Sequence, residues 1–98
     1  MIDETIYCVY MMANERNTVL YIGMTDDLNK RAYQHREHLI KGFTDRYNCE
    51  KLVWFEAHPS REAAFTRERQ LKKWKRAWKE ELIEKTNPEW RDLASTLL

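Results

Sequence analysis

Tyr10 closes one aromatic, β-branched run, Tyr7-Cys8-Val9-Tyr10, and Tyr21 lies in a second, Leu20-Tyr21-Ile22-Gly23. Arg31 and His35 follow four positions apart, a spacing that puts both on one face of a helix. Phenol, guanidinium and imidazole gathered in one place suit a phosphodiester better than an apolar core. An isolated tyrosine has a pKa of about 10, so about one in a thousand is phenolate at pH 7. Service as a base requires an offset of roughly 3 pKa units, about 4 kcal/mol. Nearby positive charge can supply it, or transfer concerted with metal-bound water. Arg31 is the expected source of that charge, and its fork also fits a phosphate oxygen. Either tyrosine alone would be an ordinary sheet residue.

Glu68 is the acid to notice, because Arg67, Arg69, Lys72 and Lys73 surround it in sequence. A lone carboxylate can hold Mg²⁺ when substrate phosphate and waters complete the octahedron. By itself it is equally an i,i+4 partner of Lys72, worth tenths of a kcal/mol. His38 and His58 read as surface residues, and the three histidines show no HExxH or CxxC spacing that would mark a zinc site.

The elements that must position these groups follow from periodicity. Ile6 to Met12 and Thr18 to Gly23 read as strands, joined through Asn14 to Asn17 as a hairpin. A four-residue loop would pair Ala13 with Thr18 and set Tyr10 opposite Tyr21. A one-residue slip would put the tyrosines on different faces. Thr25 or Asp26 can cap a helix predicted over Leu28 to Ile40, with Leu28, Ala32 and Leu39 inward and Gly42 as its stop. Phe43 to Cys49 reads as a polar, aromatic loop and Lys51 to Ala57 as a third strand. From Pro59-Ser60 a helical region runs to Pro88, as one bent helix or two. Leu71, Trp74, Trp78 and Leu82 form its apolar stripe, and the spacing of Trp54, Trp74, Trp78 and Trp90 predicts burial.

The chain has 98 residues, a net charge of +1, 43% apolar and 34% charged content. That fits one domain over residues 1–98, folded without staples. The acidic start, Met1-Ile2-Asp3-Glu4, lacks signal-peptide layout, and no apolar run approaches the roughly 20 residues of a membrane span. The protein is therefore expected to be cytoplasmic. Cys8 and Cys49 fit neither a disulfide framework nor a thiolate metal site. The near-zero charge hides a basic band: Arg61, Arg67, Arg69, Lys72, Lys73, Lys75, Arg76 and Lys79 oppose only Glu62 and Glu68. Such a band can face phosphates, or can simply be a solvated helix surface.

The ordered set Tyr7-Cys8-Val9-Tyr10, Tyr21-Ile22-Gly23, Arg31, His35, Glu68, Asn87 resembles the GIY-YIG nuclease family, small single-domain bacterial members in particular. The stretch Asn87-Pro88-Glu89-Trp90-Arg91-Asp92-Leu93 is similar to theirs too. Cys8 departs from the name-giving glycine, at a strand position that does not require one. The resemblance implies an α+β (α/β) fold with a small three-stranded, mainly antiparallel sheet flanked by helices. It implies a metal-dependent endonuclease (a hydrolase) acting on DNA, with branched, nicked or damaged DNA as candidate substrates in repair or recombination.

By position, Tyr10 is implied as general base or relay, and Tyr21 as the residue orienting water or phosphate. Arg31 is implied as stabiliser of the phosphate, His35 as a branch-specific site histidine, and Asn87 as support. Glu68 is implied as the ligand of a single Mg²⁺ or Mn²⁺. The basic band would then hold the DNA backbone without reading sequence, so binding should fall steeply with salt. A protein partner would supply specificity. The alternative is a DNA-binding or adaptor module with the same fold and little or no cleavage. A protein–protein module built on the tryptophans is the third reading.

Overall fold

β1 (Tyr7–Ala13) is the middle strand of a three-stranded antiparallel sheet in the order β2-β1-β3, with β2 (Leu20–Thr25) and β3 (Lys51–His58) at its edges. The computed structural model describes residues 5–97. Helix α1 (Leu28–Arg36) and a single turn, α2 (Phe43–Arg46), follow β2. Helices α3 (Arg61–Lys72) and α4 (Arg76–Thr86) follow β3, and a 3₁₀ turn, Leu93–Thr96, closes the chain. No described helix is long and apolar enough to cross a membrane.

The hairpin register differs from the expected one. Ala13 pairs with Leu20, Met12 with Tyr21 and Tyr10 with Gly23. The cause is Asn14, whose Oδ1 accepts from the backbone N–H of both Thr18 and Val19, at 2.8 and 2.9 Å. Those two residues are thereby taken out of the ladder and the loop grows to residues 14–19. The slip is two residues, so the faces are kept. Tyr10 and Tyr21 are diagonal neighbours on one face, with ring centroids 6.3 Å apart. Nor does Gly23 end β2, which runs on to Thr25.

Alternation sends Val9, Met11 and Ala13 of β1 into one apolar cluster with Ile22, Val53 and Trp54, closed by Ala64 and Leu71 of α3, Ile83 of α4 and Trp90. Tyr10 and Met12 point the other way, against Ala32 of α1, Leu52 and Cys49. Ser60 caps α3 by accepting from Ala63 N–H at 3.1 Å, and Asp27 caps α1 by accepting from Lys30 N–H at 3.1 Å.

Three expectations fail locally. Helix α1 stops at Arg36, because His38 takes a left-handed φ of 57° and is clamped by the carboxylates of Asp45 and Glu50. Leu39 is therefore exposed, not inward. Trp78, expected to be buried, is half exposed just beyond Lys75, where an extended backbone divides the helical region into two helices. The 43–49 segment is partly helical, starting at Gly42, whose φ of 127° favours glycine.

Candidate active site

Tyr10 is buried, and its Oη lies 2.9 Å from His35 Nε2. His35 Nδ1 lies 2.9 Å from Thr44 Oγ1, on α2. All three residues are at most 3% exposed, so this is an enclosed, fully bonded polar chain. Tyr10, Tyr21 and His35 pack as a triangle of rings with centroids 5.5 to 6.3 Å apart. Gly23 makes room for it. A Cβ there would fall 2.5 Å from Tyr10 Oη and 2.7 Å from Cζ, so the strand must carry glycine where the phenol crosses it.

Sequence reasoning put His35 beside Arg31 on a substrate-facing surface. Instead His35 turns inward as the partner of Tyr10, while Arg31 stays half-buried near both. The electrostatics follow. Burial pushes the Tyr10 phenol well above its ordinary value; the Tyr21 phenol and the Glu68 carboxylate add to this, and Arg31 opposes it. The expectation that Arg31 would make Tyr10 acidic is thus corrected: its pull has the right sign and is outweighed. Burial first, then the Arg31 charge, lowers His35 to about 4, so its imidazole is neutral at pH 7 and can accept a hydrogen bond from the Tyr10 phenol.

Glu68 reaches this group from the opposite face of the sheet. Its helix packs on the Met11 side, through Ala64 and Leu71, yet its charge is felt by Tyr10. An open pocket of ≈ 240 Å³ adjoins the group through Tyr21, lined by Leu20, Tyr21, Ile22, Phe43, Lys72 and Lys79. The Glu68 carboxylate is largely buried, and Lys72 Nζ lies 3.4 Å from its Oε1. Among the described residues no three metal-ligating side chains converge. A single carboxylate suits a hard cation whose remaining ligands are water and phosphate, and does not make a closed protein cage.

The basic band is not one surface. Lys72 and Lys79 reach the pocket. Arg67 instead holds Glu56, with Nε 3.0 Å from Oε1, and stacks over Trp74. Arg76 holds Glu80 at 2.9 Å and donates to the Asn17 and Thr18 carbonyls, stitching α4 to the hairpin loop. Arg69 lies over Phe65 and Lys75 over Trp78, while Arg61 and Lys73 are exposed.

Asn87 is placed apart from the tyrosines. It caps α4, and its Nδ2 donates to the carbonyls of Val53 (3.0 Å) and Arg91 (2.8 Å). Val53 is the extra residue at the irregularity where Met11 pairs with Trp54 and Met12 with Leu52. Asn87 thus satisfies a backbone group of a bulge on the far edge strand, and supports the sheet without touching the site. Two site residues gave no sequence signal as such: Thr44, which anchors His35, and Phe43, which lines the pocket.

Tyrosines on adjacent antiparallel strands, an arginine helix behind them and a glutamate helix across the edge define the class of fold and site. Residues 6–81 match the GIY-YIG catalytic domain, and the chain belongs to that family, whose domain is of nuclease type. Among solved structures it is similar to the UPF0213 protein BH0048 from Bacillus halodurans, determined by solution NMR. The TM-score is 0.56 at 25% identity, covering 89% of this chain and 92% of that one. None of the curated proteins matches.

Proposed function

We propose that the protein is a metal-dependent endonuclease that hydrolyses DNA phosphodiester bonds at the β2 edge. The observation that carries this reading is the buried chain Tyr10–His35–Thr44, each link 2.9 Å, beside Arg31 and within reach of the Glu68 charge. With the His35 proton on Nδ1, donated to Thr44 Oγ1, Nε2 is free to accept from Tyr10 O–H. The tautomer is assigned from this network. Tyr10 then needs no resident phenolate. As its oxygen takes a proton from the attacking water, its own proton shifts toward His35 Nε2 in the same concerted step, so that the step needs neither a resident phenolate nor a resident imidazolium.

Arg31 stabilises charge developing on the phosphoryl oxygens, and Tyr21 orients water or phosphate from the same face. Lys72 and Lys79 hold the flanking backbone electrostatically. Mg²⁺ or Mn²⁺ held by Glu68 would supply Lewis-acid stabilisation of the phosphate and the leaving oxygen.

The test is cleavage of labelled duplex, flap, fork, four-way junction and single-stranded DNA with Mg²⁺ or Mn²⁺. Wild-type protein should cut at least one substrate, and Tyr10→Phe should lose about 10²-fold or more, the scale of a general base. Glu68→Ala should lose cutting while retaining most binding. Salt-sensitive binding with no cutting anywhere would favour the DNA-binding module instead.

A further inference from the structure

Helix α2 does two things at once. Thr44 points inward to His35, while Phe43 and Tyr47 point outward and are 45% and 42% exposed. Their rings form a continuous line with the site: Tyr21 stacks on Phe43 at 6.0 Å and 30°, and Phe43 meets Tyr47 at 4.7 Å. Arg46 lies over Tyr47 at 5.6 Å. Phe43 also shares its pocket with Lys72 and Lys79. The only acid on α2, Asp45, is occupied by His38 Nδ1 at 2.9 Å. The track is therefore aromatic along its length and cationic along its sides. The groove at Trp78, also exposed, shares no lining residue with the site.

Rings with flanking lysines and arginine match a chain that alternates flat π-faces with phosphates. In a duplex those faces are covered by neighbouring bases, so only unpaired bases can lie on such a track. We propose that Tyr21, Phe43 and Tyr47 stack unpaired nucleobases beside the phosphate to be cut, making the preferred substrate DNA that is single-stranded at the cleaved bond. This rests on the nuclease reading for the cut and on the aromatic track alone for the stacking.

The experiment separates the two. Binding of full-length protein is measured by fluorescence anisotropy in EDTA, so that nothing is cleaved. Three probes are used: a single-stranded oligonucleotide, the same strand with abasic sites, and its duplex. The intact strand should bind about tenfold tighter than the abasic strand, the scale expected for stacking one base. Phe43→Ala/Tyr47→Ala should erase that preference, and Phe43→Leu, which keeps apolar bulk without a π-face, should reduce it. Both positions are exposed, and an unchanged melting temperature verifies the fold. Equal binding of intact and abasic strands overturns the proposal. So does a preference that survives in the double variant, as it would if this surface served a protein partner. Base-dependent binding without cleavage of any DNA would sink the nuclease reading and leave the track standing. Cleavage with no base dependence would do the reverse.

Discussion

The two faces of the sheet are built by alternate residues of the same strands and are chemically unlike. Val9, Met11, Ala13, Ile22, Val53 and Trp54 form a face with no polar side chain in its buried cluster. The opposite face buries Tyr10, and against it His35 and Thr44 form a hydrogen-bonded chain. Burying hydroxyl and imidazole groups is costly unless every one is bonded, and even then adds little stability over an apolar replacement. One face is therefore apolar core alone, while the other packs Met12, Ala32, Cys49 and Leu52 beside a buried polar chain that adds little stability. The difference teaches that the strand period of two, more than any single residue, separates core from chemistry.

Three measurements would break or sharpen that contrast, from the largest expected effect downward. Leu71→Ala on the apolar side should cost about 2 to 5 kcal/mol in denaturant unfolding, because Leu71 is fully buried, while cleavage per folded molecule stays unchanged. A loss of intrinsic rate there would erase the distinction between the faces.

The second is a pH titration of stability. His35 is held at about 4, below its ordinary value, so between pH 6.5 and 4 the unfolded chain takes up a proton that the folded chain refuses. Stability should fall as pH drops through that window, by up to about 3 kcal/mol, and His35→Gln should flatten the slope. His38 has the opposite sign. Its two carboxylate partners raise it, so its contribution is present at low pH and lost as pH rises; being solvated, it should be slight. A slope that persists in His35→Gln would contradict the burial of a neutral imidazole.

Third, Gly23→Ala should cost about 1 to 3 kcal/mol as the added methyl displaces the Tyr10 ring, and should lower cleavage by more than its stability loss explains. Wild-type cleavage in this variant would show that the position of the Tyr10 hydroxyl is not critical.

Much of this was legible in the sequence because its strongest signals are local. The first and third strands and the helix starting after Pro59-Ser60 lie within a residue of where periodicity and turn chemistry put them. The hairpin register was not legible, because one Asn14 side chain satisfies two N–H groups that a shorter loop would have left to the ladder. The inward turn of His35 was missed since helical spacing fixes which residues share a face, not which neighbour that face meets. Dispersal of the basic band had the same origin: Arg67 and Arg76 find Glu56 and backbone carbonyls that are distant in sequence. Asn87 reads as a site residue only until its partner is seen to be the Val53 bulge.

The central claim is that Tyr10 and Glu68, from opposite faces of the sheet, act on one phosphate. Metal-dependent cleavage by Tyr10→Phe, Glu68→Gln and the double variant tests it most directly. If they form one site, each single change removes most of the rate and the double variant is no worse than the poorer single one, since residues acting as a unit are strongly non-additive. Losses that multiply in the double variant, or cutting that survives either change, would contradict it.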